Sequence, residues 1–591
     1  MPIDMWLQAR RRKVTFALLA LSLLVRAVYY AELSQGPCLW AHRWSESDNS
    51  FFDRWAKEVV AGDWLTNQAL HPMVSWNYAI AKMYFTRHPE KIAELQPAGA
   101  PPGDDAAIAT ALWNRWFGGK TFHQEPLYAY SIALTYRLLG ENVRWVFAWQ
   151  MILGVLTNLL LWDLTRRMFG ETAGTLAGLM IVFFAPLYYL ELTLVRTSLL
   201  TFLSIAMVYL ADRALQRQSA ATWLRTGVVF GIGILGQTTL GVFVAACLAL
   251  LAWRHRQQPR TTLLFTAALM AGVLIGISPA VARNVVVGVP AFSLASNGAM
   301  TLVGGLDASS TPEMGGGGFN PRRMEQVMEE SDARSLPVLK ACLASHGSMW
   351  NFAGLLARKF AKYWQWYEEP DNQNFYYFRL YSRMLSWSLT AWLLAPLMLV
   401  GLMLAAQRFD RCSMLYALAA SGMVVALVAS PVARYRAGYL AAMIPFAAFT
   451  VVRTAEWARE RNYLRAGAVA ATVVLAFLWT SRPLPAGRPE IRTADYLAPY
   501  YFYWIPEHTG AVQSGQPRIA AAVLADSLRH EPEEVRQMGP GRRARNPYEK
   551  ELAQAYSQIH AQLAEDLFHS GDPAGAAREA RRGQELEEAA K

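Results

Sequence analysis

Long apolar stretches alternate with short polar ones along most of the chain. Each apolar stretch approaches the roughly 20 residues that an α-helix needs to cross a bilayer. One stretch, 226–253, has glycines on both sides of Gln237, a composition that favours a break into a hairpin of two shorter helices. The pattern predicts an all-α polytopic membrane protein with about 11 transmembrane helices. The apolar stretches lie near 14–33, 142–163, 172–190, 195–212, 226–253, 262–281, 385–406, 413–430, 433–452 and 465–481.

Basic residues cluster at the ends of these stretches and predict which side of the membrane each end faces. Lys and Arg prefer the cytoplasmic side. A consistent alternation results when all the clusters are cytoplasmic, provided that 226–253 enters and leaves on the same side. The N-terminus is then cytoplasmic, the first helix is a retained signal anchor, and the C-terminus is extracytoplasmic. The clusters are Arg10–Lys13, Arg166–Arg167, Arg213 with Arg217, Arg254 with Arg256, Arg408 with Arg411, and Arg459 with Arg461.

This topology predicts a transmembrane domain over 1–481 with two large extracytoplasmic loops, 34–141 and 282–384. A linker is predicted over 482–516, and a small helical domain over 517–591. In that last domain, apolar residues recur every four positions from Ala555 to Leu567, which indicates a helix with one apolar stripe. A turn and an alanine-rich helix follow, so the tail is similar to one helix–turn–helix unit of the tetratricopeptide kind.

Composition and charge agree with a membrane protein. Of the 591 residues, 53% are hydrophobic and 17% are charged, against about a quarter charged in soluble proteins. The formal net charge is +11, but the basic residues sit between apolar stretches and set topology, which argues against nucleic acid as a partner. No Cys-x-x-Cys pair occurs, so the sequence predicts no zinc or redox motif. Cys38 and Cys342 fall in the two loops, either as a disulfide or, the favoured alternative, as two unpaired thiols.

Two carboxylates follow the outer end of the first predicted helix. Asp48 and Asp53 lie in the sequence ESDNSFFDRW. Acidic groups close to a bilayer are costly unless they are paired, so they are often functional. The simpler alternative is that Asp48 caps the N-terminus of an interfacial helix, because Asp is a preferred residue at that position. Composition alone favours the cap.

Four further groups of residues on the outer side combine charged and aromatic side chains. The first three have ordinary structural explanations: helix initiation, snorkelling of an arginine to lipid headgroups, and an aromatic belt, although a belt does not explain the paired Glu368 and Glu369. The fourth group breaks the preference of arginine for the cytoplasmic side, which indicates a role such as binding an anionic lipid headgroup. The groups are His123-Gln124-Glu125-Pro126-Leu127-Tyr128; Arg283-Asn284 with Ser296-Asn297-Gly298; Lys359 with Trp364, Glu368, Glu369 and Asn372; and Arg434-Tyr435-Arg436.

The order of these motifs between the helices resembles that in the GT-C superfamily of integral-membrane glycosyltransferases. Within that superfamily, the resemblance is to the family 39 group of protein-mannosyltransferase-like and aminoarabinose-transferase-like enzymes. It covers about residues 14–481 and leaves out the tail. The residues that carry it are Asp48 to Ala56, Ala61 to Trp64, Glu125 to Tyr130, Tyr136 to Gly140, Arg166 to Gly170, Arg283-Asn284, Ser296 to Gly298, Lys359, Trp364, Glu368, and Arg434 to Arg436.

The resemblance implies an inverting transfer of a sugar from a polyprenyl phosphate to an extracytoplasmic acceptor, which is a lipid, a glycan or a protein. It implies that Asp48 is the general base. Asn49 and Phe52 depart from the family pattern, so Asp53 remains an alternative base. No metal and no cofactor are predicted. The remaining residues carried over as substrate-binding, the basic ones for the lipid phosphate, are Glu125, Tyr128, Arg283, Asn297, Lys359, Glu368, Arg434 and Arg436.

Two other functions are compatible with the sequence. A transporter or flippase of lipid-linked saccharides would place ionisable residues near the middle of the membrane, often on broken helices. The predicted crossings are nearly free of such residues, although 226–253 is broken. An inactive scaffold whose tail docks a partner is the third alternative. The glycosyltransferase is favoured, in a bacterial inner membrane, with membrane lipids and the donor lipid as partners.

Overall fold

The computed structural model describes every residue except 1, 35, 98, 100, 102, 312–319, 485–496 and 498–499. The described residues form helices and turns with no β-strand; two isolated bridges, Phe184 with Leu389 and Gly539 with Arg542, are the β-type pairings among them. The prediction of an all-α polytopic membrane protein is confirmed.

Within the described part of the chain, seven segments are long and apolar enough to cross a membrane. One of them, Ala391–Val428, contains two helices, Ala391–Ala405 and Phe409–Val428, joined by the 3₁₀ turn Ala406–Arg408. Shorter apolar helices add to the bundle at Glu171–Val182, Ala220–Gly236 and Thr238–Arg254. Each predicted crossing therefore coincides with a helix. The other long segments are Arg11–Leu33, Val143–Phe169, Thr197–Arg217, Pro259–Val287, Ala433–Arg459 and Tyr463–Thr480.

The stretch 172–190 differs from its prediction as one continuous helix. The helix Glu171–Val182 ends early, and a short helix, Ala185–Tyr188, and a 3₁₀ turn, Tyr189–Leu192, follow it. Pro186 cannot continue the preceding helix because it lacks an amide donor. The irregular backbone is buried inside the protein, where such segments are tolerated at membrane depth.

The glycine-rich stretch folds as the predicted hairpin. The helix Ala220–Gly236 is capped by Gln237, and a 3₁₀ turn spans Thr238–Leu240. The helix Gly241–Arg254 then runs back in the opposite direction. Its turn is hydrogen-bonded to Glu125 of the first loop, whereas Arg254 donates to the carbonyl of Asp410 at the opposite end of the bundle. The two arms therefore begin and end on the same side, as the alternation of basic clusters requires.

The first arm of the hairpin packs closely along Pro259–Val287. Trp223 lies beside Phe265, and further along the same pair of helices Gly231 faces Gly276, so the helices run in parallel. A Cβ placed on Gly231 would lie 2.7 Å from the Cα of Gly276, which no side chain tolerates without a shift of the backbone. Small residues allow this approach, as at many interfaces between transmembrane helices.

Shorter helices build the two loops and the tail. Within the tail, Pro547–Ser570 and Pro573–Ala590 form the predicted antiparallel pair, and Gly571 makes the turn with φ of +91°. The first-loop helices are Asp48–Ala61, Ser75–Arg87, Glu90–Leu95, Asp105–Trp116 and Leu127–Leu139, after the 3₁₀ turn Pro37–Arg43. The second loop contains Gly298–Leu306, Pro321–Ser331, Ser335–Ser345, Met349–Tyr363, Phe375–Tyr381 and Arg383–Trp387. The remaining helices are Pro2–Ala9 at the N-terminus; the π-helical turn Tyr500–Trp504 and Ile505–Gln513 in the predicted linker; and Pro517–Leu528 and Glu533–Arg536 in the tail.

The tail packs on the same end of the bundle as both loops, since the ring of His530 lies 4.9 Å, between centroids, from that of Tyr381 in the second loop. The end of the predicted linker packs there too. Tyr503 stacks on Tyr377 of the second loop with ring centroids 4.8 Å apart, and Glu507 pairs with Arg43 of the first. Part of the predicted linker 482–516 lies outside the described residues, but its residues 500–513 are helical and packed, because its aromatic residues bury against the second loop. Cys38 and Cys342 are both free and buried, as the favoured alternative predicted.

We expect Gly231→Leu to destabilise the bundle, since the new side chain forces apart the helices Ala220–Gly236 and Pro259–Val287. Overpacking of this kind costs about 1–3 kcal/mol. The measurement is the unfolding temperature of the purified protein in detergent. Gly467→Leu is the matched control, because Gly467 is also helical but open space of at least 4 Å surrounds the position that its Cβ would take. Equal unfolding temperatures for the two variants would contradict the packing described above.

Candidate active site

A cavity of about 460 Å³ opens between the two large loops, 34–141 and 282–384, and the adjoining ends of two long helices. That volume falls in the range of small-molecule sites. The first loop contributes the start of Asp48–Ala61 and the segment around His123, and the second loop contributes Gly298–Leu306 and the turn at Asp371. Arg196, immediately before Thr197–Arg217, and Arg434, in the first turn of Ala433–Arg459, complete the wall.

Asp48 lies in this cavity with its carboxylate held from three sides. The Arg434 guanidinium is 2.5 Å from Oδ2, Asn372 donates to Oδ2 at 3.0 Å, and Gln124 donates to Oδ1 at 3.2 Å. The backbone amide of Asp48 in turn donates to the side chain of Asn372 at 2.9 Å. Asp48 is not the helix cap, because Ser47 accepts the amide of Ser50 and fills that role. The cap explanation of this carboxylate is therefore excluded.

Arg434 is shared between two carboxylates, since it also pairs with Asp371. Burial raises the pKa of Asp48, but the nearby Arg434 outweighs burial and holds that pKa below its usual value. Burial raises the pKa of Asp371 above its usual value despite the same arginine. The two environments thus shift the pKa values of the two carboxylates in opposite directions, and Asp48 is the carboxylate that stays ionised at lower pH.

A second arginine is anchored beside the first. Arg196 pairs with the buried Glu125, and it donates to the carbonyl of Gly236 at 3.3 Å. Glu125 also accepts from the amide and the hydroxyl of Thr238, at 2.6 and 2.7 Å, in the turn of the hairpin. The pKa of Glu125, which burial alone would raise, is held below its usual value by Arg196 and Thr238. Glu125 therefore positions Arg196 rather than initiating the helix that follows.

Two predicted site residues of the first loop, Asp53 and Tyr128, face away from the cavity. Asp53 points to the other side of Asp48–Ala61, where it accepts from Tyr136 at 2.6 Å and from Lys57 at 2.7 Å. It lines a different cavity of about 350 Å³. Five residues along a helix turn the side chain by about 140°, which explains why the two carboxylates separate. The hydroxyl of Tyr128 is buried and donates to Gln150 at 2.9 Å.

Three predicted cations have their donors occupied by backbone carbonyls. Arg283 donates to the carbonyls of Leu65, Thr66 and Lys120 and lies over the ring of Phe122 at 3.9 Å. Lys359 donates to the carbonyls of Gly305, Leu427 and Ala429, and burial lowers its pKa to about 7.

The third of these cations, Arg436, is fully buried. It pairs with Glu368 at 3.0 Å and donates to carbonyls of residues 362, 363, 365 and 367. The structure therefore does not bring Arg283, Lys359, Arg436 or Glu368 to the cavity. It does bring Asp48, Arg434 and Asn297 there, and Glu125 acts through Arg196.

Arg196 and Asp371 were not predicted from the sequence, and Asn372, Gln124 and His123 had no assigned role. One signal could have found Arg196: it stands on the outer side in the predicted topology, the same exception to the cytoplasmic preference that identified Arg434. Asp371 had no such signal, because acidic residues carry little information about topology. Its role depends on contact with Arg434, more than 60 residues further along the chain.

One group of potential metal ligands occurs among the described residues, at His88, Glu325 and Glu329, whose ligand atoms lie within 4.8 Å of one another. It lies outside the cavity lining. Arg87 pairs with Glu325, and His88 contacts Glu329 at 3.1 Å. Arg87 therefore balances the negative charge of Glu325 within the protein.

Residues 123–282 match the dolichyl-phosphate-mannose-protein mannosyltransferase family. The match confirms the predicted resemblance to GT-C glycosyltransferases over a stretch that includes Glu125 and Arg196. Asp48 and Arg434 lie outside it. No curated protein sequence matches the chain.

Several solved structures are broadly similar. ArnT from Cupriavidus metallidurans bound to undecaprenyl phosphate has 12% identity and a TM-score of 0.38, over 97% of this chain and 76% of that one. The Archaeoglobus fulgidus oligosaccharyltransferase in its apo form has 13% identity and a TM-score of 0.37, over 80% of this chain and 57% of that one. The chain thus spans little more than half the length of the second.

We expect Glu125→Gln to destabilise the protein, because it removes the counter-charge of Arg196, whose side chain is only 15% exposed. Breaking a buried ion pair in this way costs about 3–5 kcal/mol. The measurement is the unfolding temperature, and the double variant Glu125→Gln with Arg196→Met should recover much of the loss. Glu94→Gln is the control, since Glu94 pairs with Lys91 on the exposed surface. A loss no larger than that of the control would contradict the anchoring role of Glu125.

Proposed function

We propose that this chain, as a relative of the dolichyl-phosphate-mannose-protein mannosyltransferases, is an inverting glycosyltransferase that uses a sugar on a polyprenyl phosphate. The observation that carries the proposal is the pair formed by Asp48 and Arg434 at the wall of the cavity, 2.5 Å apart. A carboxylate that can take a proton stands beside a guanidinium that can hold a phosphate. These are the two groups that transfer from a phosphate donor requires.

Asp48 is the general base in the proposed reaction. Its carboxylate accepts the proton of the acceptor hydroxyl while that oxygen bonds to the anomeric carbon of the donor sugar. The bond between the anomeric carbon and the phosphate oxygen breaks at the same time, and the electron pair leaves with the lipid phosphate. Attack on the face opposite the leaving group inverts the anomeric centre. The leaving phosphate needs no strong acid, so one carboxylate is enough for the reaction.

Arg434 connects donor binding to the strength of the base. Without donor, it lowers the pKa of Asp48 and so weakens the carboxylate as a base. A donor phosphate competes for the same guanidinium, and bidentate pairing of arginine with phosphate is strong. As Arg434 turns toward the phosphate, the pKa of Asp48 rises and the carboxylate becomes a better base when donor is present. Asn372 and Gln124 keep it in place during this exchange.

Arg196 is the second group proposed for the lipid phosphate. Both arginines also border a narrow slot between Thr197–Arg217 and Ala433–Arg459. The slot is lined by apolar residues such as Leu200 and Leu240 together with the hydroxyl-bearing residues Thr201 and Ser204. The two arginines at its border fit the phosphate of the lipid donor.

The transporter alternative is less well supported. A buried ion pair does lie among the long helices, between Arg26 and Glu191 at 2.6 Å. Both side chains are almost fully buried, and the pair neutralises itself within the packed bundle rather than lining either of the cavities that Arg434 borders. The charged groups that do line those cavities gather at one end of the bundle, where an enzyme of this class would meet both of its substrates.

We place the multi-pass chain in a bacterial inner membrane, with the cavity, both loops and the C-terminus extracytoplasmic. The N-terminus and the basic clusters are then cytoplasmic. The domain boundaries proposed are 1–481 for the catalytic transmembrane domain, 482–516 for the connection and 517–591 for the helical tail. Support comes from the connection and the tail, which contact the two loops at the same end of the bundle as the cavity.

We expect Asp48→Asn to lower kcat by about 10²–10⁴-fold, the typical contribution of a general base. The assay measures transfer from polyprenyl-phosphate sugars by the purified protein in lipid nanodiscs. Asp53→Asn is the matched control on the same helix and should transfer sugar at close to the wild-type rate, because Asp53 faces a different cavity. Full transfer by Asp48→Asn, or a greater loss in Asp53→Asn, would refute the assignment of the base.

Competition for Arg434 predicts a particular pH dependence. The fall of kcat/KM at low pH, its acid limb, reports the pKa of the base in the free enzyme. The acid limb of kcat reports the pKa of the base in the donor complex. Since Arg434 holds the pKa of Asp48 low until donor binds, the acid limb of kcat should lie at higher pH than that of kcat/KM. In Arg434→Gln the pKa of Asp48 rises in both states, so the two limbs should coincide at the higher pH. Arg459→Gln, at the far end of the same helix, should keep the wild-type separation. Coincident limbs in the wild type would contradict the competition.

A further inference from the structure

The part of the cavity away from the two arginines has a different chemical character. It is lined by aromatic, amide and hydroxyl groups, including Trp44, Trp76, His123, Asn297 and Thr301. We infer that this acceptor wall binds a neutral saccharide, whose hydroxyl group receives the transferred sugar. The inference rests on the proposed function and names the acceptor class that the sequence left open.

Charge argues against a phosphorylated acceptor. The described residues that line the cavity contribute two arginines, and both already serve carboxylates: Arg434 pairs with Asp48 and Asp371, and Arg196 pairs with Glu125. The other charged residue of the wall is Glu46, an anion that accepts from the amide and hydroxyl of Ser75 at 3.1 and 2.9 Å. If the donor phosphate takes the arginines, a second phosphate would face only carboxylates. Like charges at close range cost free energy that nothing in this wall offsets.

The aromatic residues argue for a ring-shaped ligand with an apolar face. Trp44 and Trp76 come from separate segments of the first loop, and both are half-buried in the cavity wall. Trp76 is supported from behind by Trp113, edge to face, with ring centroids 5.3 Å apart. A rigid indole offers a large contact area at a low cost in conformational entropy. The C–H face of a pyranose packs on such a surface while its hydroxyls point outward to polar groups.

His123 offers the ligand a hydrogen-bond donor, and the surroundings of its ring indicate which nitrogen carries the proton. Its side chain is buried in the cavity wall, and its Nδ1 is buried without a hydrogen-bond partner. Burial lowers the pKa of His123 well below its usual value, and the neighbouring His71 lowers it further, so the ring is neutral. An unpaired buried N–H is costlier than an unpaired acceptor nitrogen. The proton is therefore assigned to Nε2, the ring nitrogen that can donate to a ligand oxygen.

The first experiment measures binding without donor, so it does not depend on catalysis. The full chain in nanodiscs is titrated with methyl glycosides and disaccharides of mannose, glucose, galactose and N-acetylglucosamine. Binding is read by saturation-transfer NMR. We expect at least one neutral saccharide to bind, and we expect Trp76→Ala to weaken it by about 5- to 10-fold, on the scale of one aromatic contact. Trp387→Ala is the matched control, because Trp387 is 89% exposed and does not line the cavity.

The role of His123 is tested by two replacements in the same titration. His123→Gln retains an amide donor near Nε2 and should keep most of the affinity. His123→Leu fills similar space without a donor and should lose affinity as Trp76→Ala does. Equal affinity in the two variants, or no saccharide bound by the wild type, would overturn the inference.

The second experiment compares acceptors in the transfer assay. Neutral oligosaccharides, a Ser/Thr peptide and a phosphorylated glycolipid are offered with the same donor. Transfer to the oligosaccharide, with KM for acceptor raised in Trp76→Ala and KM for donor unchanged, supports the inference. Transfer only to the peptide or only to the phosphorylated glycolipid overturns it but leaves the glycosyltransferase proposal intact. Saccharide binding without any transfer would count against the glycosyltransferase alone.

Discussion

The guanidinium of Arg434 joins three parts of the chain that are far apart in sequence. It stands in the first turn of a long helix and pairs with Asp48 of the first loop and Asp371 of the second. A positive charge at the N-terminus of a helix is unfavourable by itself, because the helix dipole is positive there. Two carboxylates compensate for it, and their own burial would be costly without the arginine. Each group is tolerated in this position only because the others are present.

That mutual dependence also explains why the cavity has a defined shape. Both loops must approach the bundle for the carboxylates to reach Arg434, and the space left between them is the cavity. Arg196 repeats the arrangement nearby, where Glu125 of the first loop and Thr238 of the hairpin meet it. Charged contacts join both loops and the bundle at the site. A charged ligand such as a phosphate can therefore compete for these contacts and change the strength of the base.

Several other charges at the same end of the bundle serve the fold. Arg283 and Arg436 donate to backbone carbonyls at places where the loops leave regular helix, and Lys359 does the same behind the cavity wall. Such carbonyls have no partner within a helix, and there is no bulk water in a packed loop to satisfy them. An arginine offers five donors in a fixed fork, so it can satisfy several carbonyls at once. From sequence alone, an arginine of this kind looks the same as one that binds phosphate.

The sequence by itself determined the class of fold and the end of the bundle at which the cavity lies. Apolar length sets the number of helices, the charge bias sets their direction, and both act locally. The break at Gln237 could be predicted for the same reason, since glycines and a polar side chain weaken a helix where they stand. Only the tertiary structure decided which charges form the site. Asp48 and Asp53 have the same chemistry and the same helix, but five residues of rotation place one in the cavity and the other behind it. Arg434 and Arg436 differ by two residues, and their roles separate because one meets Asp48 and Asp371 while the other is enclosed by Glu368 and carbonyls. Those partners lie tens to hundreds of residues away, and no local pattern records a contact over that distance.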